Sequence, residues 1–266
     1  MAWFFPITVF GLGAIIGSFL NVVIHRYPRE ESVVFPPSRC PHCHAHIRPW
    51  DNVPIFAWLW LRGRCRDCKG PIDARYPLVE LANALFYLAA YQRTGPSLVL
   101  LPVAALVSMT IVLIYIDLDI QILPDVIDLP GIAIGLIIGA LHLGALAPDL
   151  MLSKTLLESV TGAVAGGGIL LVIGLSYKLV RKVEGMGLGD VKMMAMLGAV
   201  LGWEPLFPLL VLASVAGALV GIVVASRSTE GLKVALPFGV FLGLAFLVVL
   251  FFGNDLWEYY MGLLVV

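Results

Sequence analysis

The sequence predicts an all-α membrane protein, a polytopic helical bundle of about eight spans with one small soluble loop. Three observations lead there. Hydrophobic residues make up 60% of the 266-residue chain and charged residues only 13%, and the mean hydropathy is +0.95, a balance outside the range of soluble domains. Apolar runs recur at the length of about 20 residues that a helix needs to cross hydrocarbon. The Lys and Arg residues are segregated between those runs rather than scattered through them.

In chain order, runs of spanning length are read at 2–24, 77–95, 97–116, 127–147, 157–180, 205–225 and 235–253. A shorter segment, 190–202, counts as an eighth, abbreviated span, because such a helix can lie against protein instead of lipid. Seven spans with a re-entrant segment is the alternative. The first run has no basic leader and passes straight into His25-Arg26-Tyr27-Pro28 without a small-residue cleavage site, so it is read as a retained span and not a signal peptide. Three parts follow: a first span over 1–24, a loop domain over 25–76, and a membrane domain over 77–266.

Orientation is read from the cations. The 25–76 segment carries Arg26, Arg29, Arg39, Arg48, Arg62, Arg64, Arg66, Lys69 and Arg75; Lys178, Arg181, Lys182 and Lys192 flank a glycine-rich stretch; Arg227 and Lys233 lie in the last loop. With eight spans all of these share one face, and only Arg93 and Lys154 fall on the other. The loop is therefore expected in the cytosol and the N-terminus outside.

At about 50 residues the loop is too small to fold on an apolar core without a staple. It holds all four cysteines, as Cys40-Pro41-His42-Cys43 and Cys65-Arg66-Asp67-Cys68. Two Cys-x-x-Cys knuckles about 20 residues apart are a zinc-ribbon pattern, each knuckle supplying two thiolates to one tetrahedron. Cys40, Cys43, Cys65 and Cys68 are thus expected to hold a structural zinc with no position left open for water. Reduced thiols or redox chemistry are the alternatives, and a cytosolic setting disfavours disulfides. His42, His44 and His46 could replace a ligand, but with four thiolates filling the site they are read as solvent-facing.

The chemistry is sought among the carboxylates. Gly187-Leu188-Gly189-Asp190 sets a carboxylate at the mouth of the short span, where a charge costs several kcal/mol, roughly 2.5–3.5 on insertion scales. Asp117 closes the 97–116 span in Tyr115-Ile116-Asp117-Leu118-Asp119, at the same depth and on the same side. Two carboxylates brought close share a proton, so one can activate water while the other polarises a carbonyl. No His-Glu-x-x-His or Gly-x-Ser-x-Gly motif supports a metal or serine alternative. The bland reading is that Asp190, Asp125 and Asp128 merely favour helix N-termini. Asp119 competes with Asp117, and Glu80 is a further buried acid that could equally pair with an arginine. A proton- or ion-coupled transporter using the same acids is the main rival, although no long apolar run carries an acid near its middle.

The motifs together resemble the type IV prepilin peptidase family. They are Gly17-Ser18-Phe19-Leu20-Asn21-Val22-Val23-Ile24-His25-Arg26, the paired knuckles, Arg75-Tyr76-Pro77-Leu78-Val79-Glu80, Ile116-Asp117-Leu118-Asp119 through Leu123-Pro124-Asp125, Gly185-Met186-Gly187-Leu188-Gly189-Asp190-Val191-Lys192, and Pro237-Phe238-Gly239. The resemblance implies a membrane aspartic peptidase over 77–266, with Asp117 and Asp190 catalytic. It implies cleavage of prepilin or pseudopilin precursors after a glycine at the cytoplasmic face of the bacterial inner membrane. It also implies N-methylation of the new terminus, usually Phe, with S-adenosylmethionine as donor; no Gly-rich nucleotide fingerprint marks a donor site. The expected partners are those precursors and the lipid bilayer, with no nucleic acid. Two features depart from the family pattern: Val240 stands where a second proline often follows Pro-Phe-Gly, and the connector around 142–157 is somewhat long.

Overall fold

The computed structural model describes residues 3–183, 186–227 and 236–264. Gly185 and Lys233, both used in the sequence reading, lie outside these. Among the described residues every regular element is helical, and β-pairing is confined to isolated bridges. The chain divides into two compact units, Met1–Gln92 and Arg93–Val266.

The first unit contains α1 (Phe4–Arg26), the short α2 (Phe56–Trp60) and nearly all of α3 (Arg75–Thr94). α1 and α3 run antiparallel along a seam of small residues. A Cβ added at Gly13 would lie 2.8 Å from Ala84 Cα, and one at Gly17 would lie 2.7 Å from Glu80 Cα. Two amides cross the seam: Asn83 Nδ2 donates to the Gly13 carbonyl at 2.7 Å, and Asn21 Nδ2 to that of Tyr76 at 3.1 Å. In lipid, where apolar surfaces gain little from one another, close backbone approach and interhelical hydrogen bonds are what hold helices together. The Gly17–Arg26 and Arg75–Glu80 motifs are the two sides of this seam.

The second unit holds α4 (Leu100–Ile120), α5 (Asp125–Ala140), α6 (Leu156–Arg181), α7 (Leu188–Leu201), α8 (Leu206–Arg227) and α9 (Phe238–Leu264). α7 is its axis, buried from Met196 through Leu201 and at Met193 and Met194. Glycines record the directions. Gly162 abuts Gly198, and Gly166 abuts Met194, so α6 is antiparallel to α7; Gly131 faces Met196 and Gly135 faces Ala199, so α5 is parallel to it. Gly239 faces Asp117 and Gly243 faces Ile114, so α9 is antiparallel to α4. The C-terminal ends of α4 and α6 and the N-terminal ends of α5, α7 and α9 therefore share one end of the unit.

Eight of the helices coincide with the eight segments read from the sequence. Five of them, α1, α4, α6, α8 and α9, are long and apolar enough to cross a membrane. With 16 and 14 residues, α5 and α7 reach only about 24 and 21 Å at 1.5 Å per residue, short of a ~30 Å hydrocarbon core. α3 is long enough but carries Arg75, Glu80, Asn83, Gln92 and Arg93. Only 22% of the spanning window of α6 and 11% of that of α8 is buried, against 61% for α4 and α9, so α6 and α8 present the apolar exterior and α4 and α9 the interior.

The long 141–155 connector has a physical reason. It folds back on the unit rather than looping away: Met151 N–H donates to the Leu250 carbonyl at 3.0 Å and Ser153 N–H to that of Val200 at 2.8 Å. The Ser153 and Ser159 hydroxyls lie 2.7 Å apart, and Ser159 donates on to the Gly135 carbonyl at 3.0 Å. Ala147, Leu150 and Leu152 are buried.

Candidate active site and cysteine cluster

Asp117 lies in the last turn of α4, with Ile116 buried beside it and itself only 4% exposed. Asp119, two residues on, is exposed, because two positions on a helix are about 200° apart. A carboxylate at a helix C-terminus opposes the macrodipole. The opposition is offset by the N-terminus of α9: the Val240 amide donates to Asp117 Oδ2 at 3.0 Å, and the Gly239 amide is a second donor. These belong to the first-turn N–H groups that have no partner within their own helix. Pro237-Phe238-Gly239 is thus a helix start aimed at Asp117. Gly239 is required by space, since a Cβ there would lie 2.8 Å from Asp117 Oδ2 and 3.0 Å from Leu123 Cδ1. Val240 supplies an amide that a proline could not.

Asp190 is the third residue of α7, and its carboxylate reaches back to the backbone of Gly187, the N-cap residue, one half of a capping box. Leu123 joins the two acids. The same side chain that meets Gly239 would also meet a Cβ at Gly189 at 2.9 Å. Asp117 and Asp190 are close enough for their charges to repel. The structure thus brings these two predicted residues together at one end of the unit.

Their neighbours fall out differently. Asp125 holds Lys192 Nζ through both oxygens at 2.7 Å and is half exposed. Asp128 is fully buried, and neither of its oxygens has a hydrogen-bond partner among the described residues. It interacts with the charges of Asp125, Lys192 and Asp190. The helix-dipole reading gives Asp128 only a place at a helix N-terminus, yet Asp128, Gly131 and Gly135 stand at i, i+3 and i+7 and so share the face that packs on α7. In the first unit Glu80 accepts from the Ile55 amide at 2.7 Å and from the Ser18 hydroxyl. It ties the loop to the α1–α3 seam.

The knuckles repeat each other at an offset of 25 residues. Cys40 N–H donates to Ala45 O at 3.0 Å as Cys65 N–H does to Gly70 O at 2.8 Å. His44 and Lys69 occupy the left-handed turn position at φ 57° and 61°. Arg39 bridges His46 as Arg64 bridges Pro71. The four sulfurs lie within 4.8 Å of one another, and those of Cys40 and Cys68 are 3.8 Å apart. Zn–S bonds of about 2.3 Å in a tetrahedron require sulfurs about 3.8 Å apart, so the residues fit that ion. The amides of Cys43 and His42 draw the Cys40 thiol down to about 6. At Cys68 the Gly70 amide favours the thiolate, but burial and the Cys43, Cys65 and Cys40 sulfurs outweigh it and push the thiol up to about 11. Four thiolates do not coexist cheaply without a cation. The His42 ring packs over Gly70 beside Cys68, outside the four-sulfur cluster. Arg66 grips Asp51 through Nε and Nη2 at 2.6–3.0 Å and holds its carboxyl below the usual range.

Fold and geometry define an all-helical membrane protein with aspartates buried at one end and a four-cysteine cluster in its loop. Comparison with known proteins narrows the class. The model of the bacterial peptidase A24 N-terminal domain matches residues 11–94, and that of the type IV leader peptidase family matches residues 104–222. A prepilin leader peptidase/N-methyltransferase of Aeromonas hydrophila is 37% identical over 98% of this chain and 95% of its own length. Proteins of the same description from Pseudomonas putida and Burkholderia pseudomallei are each 38% identical, over 95% and 91% of this chain and 92% and 84% of theirs. The chain belongs to the type IV leader peptidase family. No solved structure matches it.

Proposed function

We propose that the chain cleaves the leader from type IV prepilins or type II secretion pseudopilins after a glycine and then N-methylates the exposed terminus, with S-adenosylmethionine as donor. The observation that carries the reading is the convergence of Asp117 and Asp190 at one end of the helical unit, in a chain whose full-length relatives bear both activities in their names. In the peptidase step the two carboxylates share one proton. The ionised one takes a proton from water, and the protonated one donates to the scissile carbonyl as its oxygen becomes negative. The α9 amides fix Asp117, and the Gly187 N-cap fixes Asp190. Bare backbone at Gly187, where an added Cβ would meet nothing closer than 3.8 Å, gives an extended peptide room to approach, while Gly189 is taken up by its packing on Leu123. The methyl donor is assigned to no particular residue.

By the distribution of Lys and Arg, this end of the unit and the cysteine loop lie on the cytoplasmic side of the inner membrane, with the N-terminus outside. α5 and α7 cross as spans shielded by the other helices of their unit, and α3 crosses as a span packed on α1. Zinc held by Cys40, Cys43, Cys65 and Cys68 closes the loop, and its role is structural because four thiolates fill the coordination.

The test is incubation of the purified full chain with a prepilin, followed by mass spectrometry of the product N-terminus, which separates leader loss from methyl gain. Asp117→Asn and Asp190→Asn abolish leader loss, whereas Asp128→Asn retains it. Undiminished cleavage by either of the first two variants overturns the pair.

A further inference from the structure

The loop carries a surface that neither the peptidase pair nor the cysteine cluster uses. α2 buries Ala57 and anchors Trp58, whose Nε1 donates to the Ile72 carbonyl at 3.1 Å. Its opposite face is Phe56, Leu59 and Trp60, at 67%, 58% and 82% exposure. Positions i, i+3 and i+4 make one helical face, and three large apolar side chains on it are more than a scatter of surface hydrophobics.

Cations follow directly. Arg62, Arg64 and Lys69 line one cleft beside Leu61 and Cys65, and none has an ion-pair partner among the described residues. The nearby acids are engaged elsewhere: Asp51 with Arg66, Asp67 with Arg48, and Asp73 with the Arg75 amide at 2.9 Å. The segment is also tethered, since it follows α1, a helix fit to cross the membrane, within the same compact unit.

We propose that this segment is a membrane-surface anchor that binds anionic phospholipid. Phe56, Leu59 and Trp60 enter the boundary between headgroups and acyl chains, and Arg62, Arg64 and Lys69 take the headgroup phosphates. An aromatic–aliphatic face with adjoining cations is the composition of interfacial helices, and Trp belongs at that depth. Unpaired cations near an anionic leaflet are attracted without first breaking an ion pair. The anchor seats the cysteine knuckles at headgroup level. It rests on the membrane setting and not on the aspartate pair, so the two readings fail separately.

Hydrogen–deuterium exchange of the full chain in phosphatidylcholine nanodiscs, with and without phosphatidylglycerol, tests it. Amides of residues 56–64 exchange about tenfold more slowly when the anionic lipid is present, and high salt removes the difference. The difference disappears in Arg62→Glu/Arg64→Glu, and Phe56→Ser/Trp60→Ser exchanges fast in both lipids, while the Cys40 and Cys65 amides stay protected. Equal exchange of the unmodified chain in the two lipids overturns the anchor, as does a difference that survives charge reversal or high salt. Equal protection by inorganic phosphate in phosphatidylcholine discs alone identifies a soluble-anion site and overturns the lipid assignment. If a variant loses knuckle protection, the salt and phosphate arms on the unmodified chain decide.

Discussion

Asp117 and Asp119 stand two residues apart, and the helix turns one inward and the other out. That single rotation separates the proposed catalytic acid from a surface acid. Asp117→Asn and Asp190→Asn are each expected to lower the cleavage rate by about a thousandfold or more, as loss of a general acid or base does at the upper end of its range. Gly239→Ala probes the support: its Cβ displaces Asp117 or Leu123, and a misplacement near 1 Å costs about 100-fold. Steady-state kinetics on a prepilin peptide then show kcat falling with KM little changed. Both proposed acids were legible in the sequence, Asp190 from its glycines and Asp117 from its shared depth, though helix-end reasoning alone did not separate Asp117 from Asp119. What holds them was not. The Val240 amide is a backbone group with no side-chain signature, and it reaches Asp117 across 123 positions. The burial of Asp128 depends on which face of α5 meets α7, visible only through the glycines that follow it.

At the scale of elements, α6 and α7 approach so closely that a Cβ at either Gly162 or Gly198 would collide with the other's backbone. Gly162→Val is expected to cost about 1–3 kcal/mol or more, the usual penalty of overpacking, read as a lower unfolding temperature in detergent. The shortness of α7 was legible as a gap between longer runs, and the reason it is tolerated is that α5 and α6 enclose it. In the loop the Arg66–Asp51 pair makes a pH-dependent contribution. Because the folded Asp51 carboxyl lies below its unfolded value, the pair's stabilisation is complete above about pH 3.9 and fades as pH falls through the lower folded value. Comparing acid unfolding of the loop with that of Asp51→Asn isolates this part: the variant loses stability at neutral pH and shows a shallower acid decline. The equivalence of the two knuckles at an offset of 25 was hidden because only the cysteines, the arginines before them and the isoleucines that close them, Ile47 and Ile72, repeat. Backbone hydrogen bonds carry the rest.

For the whole molecule, zinc analysis under reducing conditions is expected to give about one ion per chain, falling to none in Cys40→Ser, and chelation makes residues 38–73 newly sensitive to protease. Hydropathy and charge segregation made the helical membrane class legible, but only five of the eight segments read as spans form helices long and apolar enough to cross on their own. α3, α5 and α7 are helices without the length or composition to cross alone, and only their neighbours give them a setting. The 141–155 connector has a practical consequence for mapping topology with inserted reporters. By length it invites an inserted tag, yet its amides hold the carbonyls of Val200 and Leu250, so a tag there reports on a broken protein. At Gly95, by contrast, an added Cβ would meet nothing within 4 Å, so that connector is the better place for a reporter.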